Sequence, residues 1–86
     1  MALVFIPTMF QNLTDGVAQV QVEAKTVRDV VHRLEEQFPA LKGNLLQGSD
    51  FRPDLAVAID GEVAFDLLDR VGANSEVHFI PPIAGG

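Results

Sequence analysis

Eighty-six residues, 48% of them apolar, suffice for one packed domain and leave no room for a second core. The chain has no Cys, which excludes disulfides, thiolate metal sites and cysteine nucleophiles, and no Trp or Tyr to stack on single-stranded bases. Twelve acids against six bases leave a net charge of −6, which disfavours nucleic acid and anionic membranes and suits a basic protein surface.

The opening Met1-Ala2-Leu3-Val4-Phe5-Ile6 has no basic flank and is cut by Pro7, so it does not read as a signal peptide. No apolar run approaches the ~20 residues of a membrane span, and a cytoplasmic location is expected. Leu3 to Ile6 predicts a strand buried on both faces or central in a sheet. Asn12, Asp15 and Gly16 mark a connecting turn, and Gln19-Val20-Gln21-Val22-Glu23 alternates as a strand with one wet face. Thr26-Val27-Arg28-Asp29 has the form of a capping box. Val27, Val30, Val31, Leu34 and Phe38 follow as one apolar helical stripe that Pro39 stops.

Residues 40 to 54 read as irregular, with Leu41, Leu45 and Leu46 tucked under the sheet. Leu55 to Ile59 predicts a third strand, Asp60-Gly61 a tight turn, Glu62 to Phe65 a short return strand, and Glu76 to Ile80 the last strand. The order β-β-α-β-β-β implies an α+β fold: a mixed sheet of four to five strands crossed by one helix, with the last strand parallel to the first in the middle. That is the β-grasp, or ubiquitin-like, architecture. Residues 1–80 are expected to form the domain and residues 81–86 a flexible tail.

Conventional catalytic sets are absent from the pattern. His32, beside the apolar stripe, reads as partly buried; His78, between Val77 and Phe79, reads as lying on an exposed sheet face. Asp60, Glu62, Asp66 and Asp69 stand at turn positions, no His/Asp/Glu set has metal-ligand spacing, and Gly43 and Gly48 lack the GK[ST] of a phosphate loop. No metal and no bound cofactor are expected. Any chemistry is expected to be supplied by a partner enzyme.

The tail is different. Pro81 and Pro82 cannot donate to a ladder, so pairing stops there, and Ile83-Ala84-Gly85-Gly86 follow with little bulk. Six residues at ~3.3 Å each reach roughly 20 Å, enough to enter a narrow channel where a Cβ would clash. The unhindered carboxylate of Gly86 is therefore the candidate reactive group: a partner that uses ATP can adenylate it, and a sulfur or amine nucleophile can then attack.

Val77-His78-Phe79-Ile80-Pro81-Pro82-Ile83-Ala84-Gly85-Gly86 resembles the C-terminus of the MoaD/ThiS sulfur carrier proteins, and the element order of the whole chain is similar to theirs. The opening Phe5-Ile6-Pro7-Thr8, with Leu13-Thr14-Asp15-Gly16, is similar to the MoaD-like carriers of bacterial cysteine synthesis and related archaeal proteins. It departs from the N-terminal pattern of the molybdopterin synthase small subunit. The resemblance implies a cycle in which an E1-like enzyme adenylates Gly86, sulfur converts it to a thiocarboxylate, and a sulfur-acceptor enzyme or large synthase subunit receives that sulfur. Gly85, Ala84, Ile83, Pro82 and Pro81 would thread the partner's channel, and Phe5 and Phe79 are candidates for the docking patch. The alternatives are a small subunit of molybdopterin synthase, a ubiquitin-like modifier conjugated through Gly86, and an interaction module with an inert tail.

Overall fold

A period of two in the strands and a period near 3.6 in the helix decide which side chains this chain buries. The computed structural model describes residues 1–47, 50–51, 55–64 and 66–80. They form β1 (Ala2–Phe5), a 3-10 helix at Thr8–Leu13, β2 (Gln19–Val22), α1 (Val27–Gln37), a 3-10 turn at Pro39–Leu41, β3 (Leu46–Gln47), β4 (Asp50–Phe51), β5 (Ala56–Ile59), β6 (Glu62–Val63) and β7 (Glu76–Ile80). The main sheet runs β2-β1-β7-β5-β6. β1 and β7 are parallel, with Val4 opposite Val77, and the other neighbours are antiparallel. β3 and β4 pair separately. This is the β-grasp expected from the element order, with first and last strands side by side at the sheet's centre.

One face of the sheet is sealed by the helix. Ala2 and Val4 of β1, Val20 and Val22 of β2, Val57 of β5, and Val77 and Phe79 of β7 are all buried with Val27, Val30, Val31 and Leu34 of α1. An eleven-residue helix carrying three valines would be marginal alone, so burial of this stripe supplies most of its stability. Its start is defined by the capping box: Asp29 N donates to Thr26 Oγ1 at 3.3 Å, while Asp29 Oδ2 accepts from Lys25 N at 3.1 Å and Thr26 N at 3.3 Å.

The β5–β6 turn holds the start of β7. Asp60 and Gly61 both have positive φ, 53° and 87°, the mirror-image turn that matches hairpin twist. The Asp60 carboxylate accepts from Glu76 N at 2.9 Å, and Asp60 N donates to Glu76 O at 2.9 Å. One aspartate thus forms the turn and fixes the entry of the central strand.

Of the two readings of β1 the structure takes the second: it is central in the sheet and buried on one face, with Leu3 and Phe5 half-exposed, because the second face of the sheet carries no helix among the described residues. Two expectations change. The loop after Pro7 contains a 3-10 helix that buries Phe10, and the fully buried Thr14 hydroxyl donates to Val17 O at 2.9 Å. The stretch after residue 40 is not wholly irregular, since β3 and β4 pair antiparallel there. Leu41 and Leu45 are buried as expected. The side chain of Leu46 lies outside the described set, and Phe65, expected to end the return strand, lies outside the described residues.

Thr26→Ala is expected to cost about 1 kcal/mol in chemical denaturation, the usual loss for an N-cap hydroxyl. Hydrogen bonds to charged carboxylate oxygen, chiefly from Lys25 N, hold Asp29 below the ordinary carboxyl value of 3.8. Asp60 is lowered the same way, chiefly by Glu76 N and then by the Ser75 side chain. A lowered folded-state value contributes stability above the unfolded value and loses it as pH falls through the folded one. Stability should therefore drop below about pH 4, and Asp29→Asn or Asp60→Asn should each flatten that acid limb in a pH series of denaturation midpoints.

Candidate functional site

Because β7 is the middle strand, its last residue, Ile80, emerges between β1 and β5. Alternation along β7 places Val77 and Phe79 against the helix and Glu76, His78 and Ile80 on the open face. On β1 the same parity turns Leu3 and Phe5 outward. The ladder aligns Phe5 with His78, His78 with Ala58, and Ala58 with Val63, one row across four strands. Ile80 extends the row along β7, opposite Ala56.

The row is apolar apart from its middle. Val63 is 56% exposed and Ile80 47%, while Ala58 is covered. The Phe5 ring lies flat on the His78 imidazole, with centroids 4.1 Å apart and planes 7° from parallel. His78 Nε2 is 3.6 Å from Glu76 Oε1. Stacking shields one side of each ring and gives the half-exposed pair a fixed shape, so the open face presents a rigid aromatic step flanked by Val63 and Ile80. No side chain in the row forms a nucleophile–base pair, and the histidine's near neighbours are a carboxylate and a phenyl ring.

Of the two phenylalanines expected at a docking patch, Phe5 lies on the open face. Phe79 does not: it is 4% exposed and packs in the core, because its parity on β7 matches Val77. The open-face residues beside Phe5 are instead Val63 and Ile80. Ile80 was readable from alternation, whereas nothing local in Glu62-Val63 marks an exposed valine. His78 sits on the open face as its alternation indicates. His32 differs from its expectation: it is exposed on α1, one position off the stripe, and lines a surface groove with Asp29 and Glu36. Gly86, Gly85, Ala84, Ile83, Pro82 and Pro81 lie outside the described residues.

Comparison with known proteins follows the same lines. The sequence profile of the ThiS family matches residues 4–86. No curated protein is matched by sequence. Among solved structures, CysO in the Amycolatopsis orientalis BexX/CysO complex is similar with a TM-score of 0.94 and 22% identity, covering 100% of both chains. Mycobacterium tuberculosis CysO, described as an antigen, gives 0.88 and 19%, covering 96% of this chain and 100% of its own. Small archaeal modifier protein 1 from Methanosarcina acetivorans gives 0.83 and 20%, covering 99% and 95%. Identities this low establish a shared fold.

The two phenylalanines are expected to behave oppositely. Phe79→Ala should destabilise by about 3–5 kcal/mol through core cavity formation. A double-mutant cycle of Phe5→Ala with His78→Ala should return a coupling below about 1.5 kcal/mol, the range of a single stacked pair. Urea denaturation of the parent, the two single variants and the double variant of the cycle, and Phe79→Ala measures both.

Proposed function

This chain belongs to the ThiS family, and from that premise we propose that it is a sulfur carrier whose reactive atom is the terminal carboxylate carbon of Gly86. The reading rests on one observation above the others. The central strand β7 ends at Ile80, which shares the open face with Phe5, His78 and Val63; in sequence it is followed at once by Pro81-Pro82-Ile83-Ala84-Gly85-Gly86, and the family match extends through Gly86.

The chemistry divides between carrier and partner. A carboxylate oxygen of Gly86 attacks the α-phosphate of ATP held by an E1-like enzyme, and pyrophosphate leaves. Sulfide, supplied as HS⁻ by the sulfur donor, then attacks the acyl carbon, AMP departs, and a thiocarboxylate remains. The acceptor enzyme takes that sulfur in its own reaction. The carrier supplies position. Pro81 and Pro82 have no N–H to donate to a ladder, and Ala84, Gly85 and Gly86 offer too little bulk to obstruct a channel or the attack. Phe5, Val63 and Ile80 are the docking side chains, and the net charge of −6 favours approach to a basic surface. The presence of the A. orientalis CysO in a complex with BexX supports protein docking as the mode of action for this fold.

The likeness to small archaeal modifier protein 1 supports a second reading. In it, the same activated Gly86 is attacked by a lysine amine, and an isopeptide bond forms. Activation is common to both readings; the nucleophile separates them.

Intact-mass measurement of the protein from its native host should show one terminal oxygen replaced by sulfur. Attachment to other proteins through Gly86 would favour the modifier. Recovery of only the free carboxylate, with activating enzyme and sulfur donor supplied, would sink the proposal. In the reconstituted activation reaction, Ile80→Asp is expected to raise KM for the carrier about tenfold while the denaturation midpoint stays near that of the parent, as for a docking contact.

A further inference from the structure

The sheet's long edge carries a second binding surface. Among the described residues β2 has a neighbour on one side only. Ile6 N donates to Ala18 O at 2.8 Å, which makes that opposite pair a hydrogen-bonded one. Antiparallel pairs alternate, so Val4–Val20 and Ala2–Val22 are hydrogen-bonded too, and Gln19 and Gln21 sit at the intervening positions. Leu3, opposite Gln21, confirms the parity, since its N–H donates away from β2 to Ser75 O at 2.9 Å. The backbone N–H and C=O groups of Gln19 and Gln21 therefore point out of the sheet.

The next outward carbonyl shows what this edge attracts. Glu23 O accepts from Arg33 Nε of α1 at 3.3 Å, so the helix closes that rung with a side chain and leaves the rungs at residues 19 and 21 open. The edge lacks the usual protections: β2 contains no Pro, no Lys and no bulge. Where β2 leads into α1, at the Glu23 end of this edge, an open groove of about 600 Å³ is lined by Glu23, Asp29, Glu35 and Glu36 against Lys25, Arg33 and His32. Arg33 is already engaged, 3.4 Å from Glu36 Oε1, so the groove's remaining charge is acidic.

We infer that the β2 edge accepts an extended segment of a partner protein as a sixth strand, with basic side chains at alternate positions over the acidic groove. Backbone hydrogen bonds to Gln19 and Gln21 supply the attachment, and period-two alternation sends every second side chain of the added strand toward α1. The site is separated from β7 by β1 and stands independently of the sulfur-carrier reading.

The probe is a blocked peptide of alternating valine and lysine, titrated into the ¹⁵N-labelled full chain. Saturable shifts of the Gln19, Gln21 and Glu23 amides are expected. A valine–glutamate peptide should bind about tenfold more weakly or worse, and so should a valine–lysine peptide N-methylated at alternate residues, which removes the two ladder bonds to the Gln19 and Gln21 carbonyls. Gln21→Pro should abolish binding with the remaining amide spectrum retained, since that N–H makes no bond within the sheet. Where this variant does not fold, the N-methylated peptide decides. Equal binding of the methylated peptide, shifts confined to the Phe5–His78 face, or pairing of β2 with a second copy in place of the peptide would each overturn the assignment.

Discussion

The parallel pairing of β1 with β7 is the constraint on which the rest of this molecule depends. It joins residues from opposite ends of the sequence, and neither strand has another way to satisfy that side of its backbone. A parallel neighbour cannot be reached by a tight turn, so everything between the strands must cross over and return. Helix α1 makes that crossing, and its valine stripe gains a sheet face to cover. The hydrogen bonds between Asp60 and Glu76 then align β7 as it enters the slot between β1 and β5.

The two faces of the sheet divide the work. The helix face is a dense aliphatic core in which Val4, Val77 and Leu34 are fully buried. Among the described residues, the other face has a thin apolar row, stiffened by the stack of Phe5 on His78. Central strands in such a sheet serve both faces at once, so one phenylalanine of β7 stabilises the fold while its histidine and isoleucine neighbours face outward. A surface of this kind suits repeated docking and release: it is shaped by the backbone ladder and loses little conformational entropy when covered.

A carrier of this design separates position from chemistry. The proposed reaction needs an acyl carbon with room around it, a leaving group and a nucleophile; the chain provides the first, and its partners provide the others. The absence of cysteine removes a competing nucleophile from the chain itself. The proposed role of the β2 edge adds a second contact that leaves both the open row and β7 uncovered.

Local pattern was sufficient for the helix, its capping box and the Asp60-Gly61 turn, because each depends on residues within a turn or a period of one another. The Gly-Gly motif was equally legible, being a statement about composition. Periodicity alone could not assign β1, since Leu3-Val4-Phe5-Ile6 is apolar on both sides and either parity looks buried. Only pairing with β7 shows that Val4 is core and Phe5 is surface. The same limit misplaced Phe79, whose parity follows from Val77 facing the helix, and hid Val63, exposed by the position of β6 at the sheet's edge. It also left His32 one step off the helical stripe without showing which side of α1 the sheet covers. Sequence determined the elements and their amphipathic patterns; tertiary structure decided which face of the sheet was covered, because burial depends on the neighbour that arrives and no residue carries that information locally.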